Sequence, residues 1–206
     1  MRFPSALKGI SKILASQILQ IVSSLTTAVG LVILVASAEE MNLAVMGTSS
    51  IVILVAAAVV VVALILEIVG LIQAKNDEKS FLIALILTLI ALGFSVAQFF
   101  LNTTYPLAAS WMDFAAAILS LCAMETIVIG IRSLAMELGN ERITTMANAI
   151  QIMLSILWAV ILFLQLFSTL QEGVTRILGI IGAVLEIVVY IAFIVLLGKA
   201  RKMLAE

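Results

Sequence analysis

Long uncharged segments alternate with short polar ones along the whole chain. The segments 13–38, 41–66, 80–112 and 143–171 contain no Asp, Glu, Lys or Arg. A turn at Pro106 divides the third of them, because proline favours a break between helices. About 20 apolar residues are enough for a helix to cross a hydrocarbon core about 30 Å thick. The pattern predicts an all-α membrane protein with six transmembrane helices, near 13–37, 49–73, 80–101, 109–131, 143–168 and 176–198.

Basic residues predict how these helices are oriented. Lys and Arg are retained on the cytoplasmic side of a membrane protein. With the N-terminus inside, every basic residue except Arg176 falls in a cytoplasmic segment, whereas Glu39, Glu40 and Glu172 fall outside. We therefore predict a multi-pass protein of a bacterial-type plasma membrane, with both termini in the cytoplasm.

The N-terminal region has two further features. Residues 36–38, with the sequence Ala-Ser-Ala, resemble a signal-peptidase site. The preceding stretch is too long and too polar for a signal peptide, so we interpret it as a retained helix. The basic segment 1–12 is expected to lie along the inner membrane surface.

Similar pairs of helices suggest an internal repeat. Leu-Glu-Ile-Val around Glu67 recurs around Glu186, and Glu125 lies at a comparable distance between them. Two-helix units keep their direction across the membrane, so such repeats are related by an axis along the membrane normal. We predict three antiparallel hairpins in a single transmembrane domain, at 8–75, 76–139 and 140–203. The alternative is chance similarity among apolar helices.

Composition excludes several classes of function. The chain has 206 residues, of which 64% are hydrophobic, and its net charge is −1, so no basic surface indicates nucleic acid. It contains one cysteine and no histidine, which excludes an internal disulfide and histidine-ligated metals or haem. No phosphate-binding loop or nucleophile–base pair is recognisable. We predict no enzyme activity, no cofactor and no metal site, and the expected partners are the lipid bilayer and either further copies of the chain or another membrane protein.

Three glutamates inside the predicted spans are candidates for ion or substrate binding. Ionisable residues in a span are costly and usually face the protein interior or a water-filled path. Glu186 is the strongest candidate, because it is farthest from a basic residue. Glu67 and Glu125 lie closer to the cytoplasmic surface. Each carboxyl group is either protonated, bound by hydrogen-bond donors, or paired with a cation.

Polar stripes on two helices are the expected companions of these glutamates. Gln17 and Gln20 lie on one face of the first helix, and Asn148 and Gln151 repeat their spacing in the fifth. Tyr190 lies one turn from Glu186. Because polar side chains avoid lipid, both stripes are expected to point inward. The alternative is hydrogen bonding between helices without any passage.

These features lead to two hypotheses for function. The first is a small transport protein or channel with a glutamate-containing cavity that favours cations, protons or a small cationic or neutral solute. The second is a non-transporting membrane subunit that docks a partner protein. A cavity that holds the glutamates favours the first hypothesis, whereas dry, closely packed glutamates favour the second.

The predicted orientation can be tested by cysteine labelling. In a variant without Cys122, cysteines introduced at positions 77 and 137 should resist a membrane-impermeant reagent added outside intact cells, because both lie in cytoplasmic connections. A cysteine at position 104 is the control and should be labelled. Labelling of 77 or 137 from outside would contradict the orientation.

Overall fold

The computed structural model describes residues 2–39, 43–166 and 172–206, with side chains at 2–37, 45, 47–164 and 179–206, and its regular structure there is entirely α-helical. In these ranges the chain forms a bundle of six helices, each long and apolar enough to cross a membrane. The prediction of six transmembrane helices is thereby confirmed. The helices are α1 (Pro4–Glu39), α2 (Leu43–Ala74), α3 (Ser80–Leu101), α4 (Pro106–Glu137), α5 (Glu141–Leu166) and α6 (Glu172–Ala205).

Several helices are longer than the sequence pattern predicts. α1 has 36 residues, or about 54 Å at 1.5 Å per residue, and a hydrocarbon core is only about 30 Å thick. The expectation that residues 1–12 lie flat on the membrane is wrong for the described part, since α1 begins at Pro4 and buries Ala6 and Ile10 in the bundle. Hydropathy marks the apolar segment, whereas backbone hydrogen bonds and packing continue beyond it. The residues predicted to connect α1 to α2 and α5 to α6 lie partly outside the described ranges.

The helices are arranged in a closed ring in chain order. α1 packs along most of α2, and α3 along most of α4, while α4, α5 and α6 follow and α6 returns to α1. Both described chain ends therefore lie at one end of the bundle, here called the terminal end. This order agrees with three consecutive hairpins around a common axis. The proposed repeats at 8–75, 76–139 and 140–203 remain a prediction.

Small residues bring α1 and α2 into backbone contact near the terminal end. A Cβ atom built on Gly9 would lie 2.5 Å from the carbonyl oxygen of Gly70 and 2.7 Å from the Cβ of Ala74. On Gly70 it would lie 2.8 Å from the carbonyl oxygen of Gly9. Small residues in membrane helices allow this approach, which increases van der Waals contact where lipid offers no hydrophobic driving force.

Two acidic residues in the α2–α3 connection join three elements at the terminal end. The Asp77 carboxylate accepts a 2.6 Å hydrogen bond from the backbone N–H of Ala6 in the first turn of α1. Glu78 accepts hydrogen bonds from the Ser80 hydroxyl at 3.0 Å and from the Ser133 hydroxyl in α4 at 2.9 Å. Carboxylates stabilise the free N–H groups at helix N-termini. The connection thereby holds α1, α3 and α4 in register.

We predict that Gly9→Ala destabilises the bundle whereas Gly93→Ala does not. The methyl group at Gly9 meets backbone atoms that cannot move aside, and overpacking of this kind costs about 1–3 kcal/mol. At Gly93 a Cβ meets no described atom within 4 Å, and alanine is the better helix former. Thermal unfolding in detergent micelles, followed by circular dichroism, measures both effects. Equal melting temperatures for the two variants would contradict the close crossing.

Candidate functional site

A central cavity of about 390 Å³ lies inside the ring and receives side chains from every helix of the bundle that the structure describes. Much of its wall is aliphatic, with Leu64, Leu92 and Leu157 among the contributors. Two intramembrane carboxyl groups, Glu67 and Glu186, reach the same space. The polar residues that line the cavity are Gln17, Gln20, Glu67, Thr88, Ser95, Ser120, Glu186 and Tyr190.

Glu67 is held by three donors from α1. Its Oε2 atom accepts hydrogen bonds from Gln20 Nε2 at 2.9 Å, from Gln17 Nε2 at 3.2 Å and from Ser16 Oγ at 3.3 Å. Ser16 and Gln17 are 0% and 5% exposed, so these donors are shielded from the surroundings. A polar group removed from water is costly unless its hydrogen bonds are made. α1 therefore supplies the partners that make Glu67 tolerable inside the bundle.

Tyr190 extends this network from α6 to α1. Its hydroxyl group lies 3.4 Å from Gln20 Oε1 and 3.4 Å from the backbone oxygen of Gln17, to which it can donate. Gln20 is thus the central member, since its amide nitrogen binds Glu67 and its amide oxygen receives Tyr190. The network connects α1, α2 and α6 on one side of the cavity.

Glu186 lines the cavity but is placed differently from Glu67. It is an exposed residue, whereas Glu67 is half-buried. One helical turn to either side of Glu186, Gly182 is buried against Val160 of α5 and Tyr190 lines the cavity. Among the described residues, nothing lies within 4 Å of a Cβ built on Gly179. Glu186 therefore lies on the cavity wall with its side chain largely uncovered by neighbouring residues of the described bundle.

Glu125 is outside the cavity lining, and the register of buried residues explains why. Ser49, Ala56, Ala63 and Gly70 recur every seventh residue on the buried side of α2, and Ala109, Ala116, Ala123 and Gly130 do so in α4. Glu67 lies four residues after Ala63, a position that Ile127 occupies in α4 and that also lines the cavity. Glu125 precedes Ile127 by two residues, or about 200° around a helix with 3.6 residues per turn.

In α6 the same register supports the correspondence of Glu186 with Glu67. The buried positions there include a series spaced seven residues apart: Gly182, Val189, Leu196 and Met203. Glu186 follows Gly182 by four residues, as Glu67 follows Ala63. Of the three glutamates grouped by sequence similarity, two therefore share a helical position and a cavity.

The polar stripe of α5 does not reach the cavity. Asn148 and Gln151 are half-buried, and neither belongs to the lining. Gln151 Oε1 instead lies 3.4 Å from a guanidinium nitrogen of Arg132 in α4, from which it accepts. The buried side of α5 is formed by Ala147, Ile150, Leu154 and Leu157, so the stripe lies beside the inward face rather than on it.

Three cavity residues were missed by the interpretation of the sequence. Thr88 and Ser95 of α3 and Ser120 of α4 line the cavity opposite the α1 network. The Oγ1 atom of Thr88 is buried and has no hydrogen-bond partner among the described residues. The sequence does contain a sign of the two α3 residues: Thr88 and Ser95 are polar residues seven positions apart, on one face of an otherwise apolar helix.

The electrostatic character of the cavity follows from its carboxyl groups. No Lys or Arg belongs to the lining as far as the described residues show it. Within the same part of the chain, no group of three or more Cys, Asp or Glu side chains is arranged to hold a metal ion. The lining thus offers carboxylate, amide and hydroxyl oxygens to a solute and no side-chain cation to an anion.

Comparison of the chain with known protein families, with curated proteins and with solved structures finds no match. The class that the fold defines is a multi-pass helical membrane protein. Its function has to be argued from the cavity.

We predict that Gln20→Leu destabilises the protein by about 1–3 kcal/mol, the usual cost of leaving a buried polar group without its partner. The substitution removes the shortest hydrogen bond to Glu67 and the side-chain acceptor of Tyr190. Gln98→Leu in α3 is the matched control, because Gln98 is half-buried and does not line the cavity. Chemical denaturation in mixed micelles gives both values. An unchanged stability for Gln20→Leu would mean that the network contributes nothing.

Proposed function

We propose that this chain is a small membrane transport protein whose central cavity binds a cationic solute. One observation carries the proposal: Glu67 and Glu186 open into one cavity within the membrane-spanning bundle, and its described lining contains no basic side chain. Carboxyl groups inside a membrane protein commonly mark the path of an ion, a proton or a substrate. A positively charged solute is the partner that such a lining attracts.

The lining favours a small organic cation over a bare metal ion. A volume of about 390 Å³ falls within the range of small-molecule sites. A dehydrated metal ion needs several oxygen ligands close together, whereas this wall is largely aliphatic and includes the rings of Tyr190 and Phe193. An alkylammonium ion suits both features, because its apolar groups contact Leu and Met while its charge meets a carboxylate or an aromatic face.

The two carboxyl groups have different parts in this proposal. Glu67 is occupied by three donors on one oxygen atom, so it contributes a fixed, preorganised acceptor. Glu186 is exposed and has no hydrogen-bond partner within the described part of the bundle, so it is free to meet an arriving cation. The unpartnered hydroxyl of Thr88 supplies a further polar contact on the opposite wall.

Flux measurements on purified protein in liposomes test the proposal. Methylammonium, tetramethylammonium, K⁺, Na⁺ and protons are compared, and uptake of an alkylammonium ion is expected to exceed that in empty liposomes.

We predict that Glu186→Gln and Glu67→Gln each lower this uptake by about 10- to 100-fold, the equivalent of losing a charge-assisted contact of about 1.5–3 kcal/mol. Glu125→Gln is the matched control and should leave uptake unchanged, since Glu125 lies outside the lining.

Other outcomes would contradict specific parts of the proposal. Wild-type flux at the level of empty liposomes for every solute would overturn transport and favour a non-transporting membrane subunit. An equal loss in Glu125→Gln would show that the cavity is not the route. Proton flux without alkylammonium uptake would retain the carboxyl groups but exclude an organic substrate.

A further inference from the structure

A second pocket lies at the terminal end, between the start of α1 and the ends of α2 and α6. Its volume is about 440 Å³, and it shares no lining residue with the central cavity. Its walls are formed by Leu7, Lys8, Ser11, Lys12, Gln73, Arg201 and Ala205. The pocket therefore belongs to neither the proposed transport site nor its hydrogen-bond network.

Three cationic side chains converge on this terminal pocket from two helices. Lys8 and Lys12 are one helical turn apart on α1, and Arg201 approaches from α6. No carboxylate belongs to its lining among the described residues, so these charges are not neutralised within the pocket. Lys12 directly precedes the uncharged segment of α1. The pocket therefore lies where the apolar part of the bundle meets the membrane surface.

Gln73 adds an acceptor beside these charges. Its side-chain oxygen Oε1 is buried and has no hydrogen-bond partner within the described part of the structure. Buried polar atoms in native proteins are nearly always paired, so an unpaired one in a pocket wall points to a donor that arrives with a ligand. The neighbouring Ser11 hydroxyl is already directed to the backbone oxygen of Leu7, at 2.8 Å. A suitable ligand must therefore present a negative charge and a hydrogen-bond donor together.

We propose that the terminal pocket binds the headgroup of an anionic phospholipid whose phosphodiester is followed by hydroxyl groups, as in phosphatidylglycerol. The phosphate contacts Lys8, Lys12 and Arg201, and a headgroup hydroxyl donates to Gln73 Oε1. Basic pockets between helices at the membrane surface are established sites for anionic headgroups. Leu7 and Ala205 provide apolar contact for the glycerol backbone and the first acyl carbons.

Native mass spectrometry of the full chain in detergent, titrated with lipids of matched acyl chains, tests this proposal. Phosphatidylglycerol should bind more tightly than phosphatidylethanol, which has the same charge but no headgroup hydroxyl, and both should bind more tightly than phosphatidylcholine. Each neutralised basic residue should weaken anionic lipid binding about fivefold, so Lys12→Gln with Arg201→Gln should weaken it about 25-fold. Gln73→Leu should remove only the difference between phosphatidylglycerol and phosphatidylethanol.

The control is Lys79→Gln with Arg142→Gln, which removes the same charge at the terminal end but outside the pocket, from exposed positions. It should leave the lipid affinities within about twofold, which is small beside the fivefold effect of one pocket charge. Circular dichroism of each variant verifies its folding.

Equal binding of phosphatidylglycerol and phosphatidylcholine, or an equal loss in the control, would overturn the proposal. Displacement of the lipid by millimolar inorganic phosphate would assign the pocket to a free anion instead, and an unchanged lipid preference in Gln73→Leu would exclude the headgroup hydroxyl.

Discussion

The close crossing of α1 and α2 is the contact on which the candidate site depends. At Gly9 and Gly70 the two backbones touch, and no side chain keeps them apart. Farther along the same interface, short polar side chains of α1 can therefore reach across to α2, where Ser23 donates to the backbone oxygen of Ala56 at 2.6 Å. Ser16, Gln17 and Gln20 reach Glu67 for the same reason. Larger residues at the crossing would move α1 outward and leave Glu67 without donors.

Glu67, the half-buried carboxyl group of the cavity, is held by hydrogen-bond donors rather than by a cationic side chain. The basic residues lie near the helix ends, and those with described side chains contribute nothing to the cavity lining. Glu67 receives its donors from one neighbouring helix, whereas Glu186 has no hydrogen-bond partner within the described part of the bundle. This difference gives two equivalent helical positions distinct chemical properties. One wall of the cavity therefore has a carboxyl group fixed by hydrogen bonds, and another has an exposed carboxyl group without a described partner.

The middle of the bundle and its terminal end have different environments. The apolar middle exposes large side chains such as Val32 at 70% and Leu54 at 72%, as expected where lipid is the solvent. At the terminal end, Asp77 and Glu78 make hydrogen bonds to neighbouring helices, while Lys8, Lys12 and Arg201 remain available around a pocket. Asp77 and Glu78 thus join neighbouring helices, whereas these three basic residues line a pocket that contains no described carboxylate.

The sequence by itself determined the class of protein and the number of spans, because apolar length and the placement of charges depend only on local composition. It also identified Glu67, Glu186, Gln17, Gln20 and Tyr190 as candidates, since a polar residue in an apolar helix is costly wherever it points. Tertiary structure alone decided which of these residues meet. The comparable spacing of Glu125 suggested a third member, but the rotation of α4, which buries its small residues, turned Ile127 inward instead. The α5 stripe lies outside the lining for the same reason, and Thr88 entered it because of where α3 packs in the ring. Periodicity along one helix defines a polar face, whereas the direction of that face depends on contacts with helices distant in sequence.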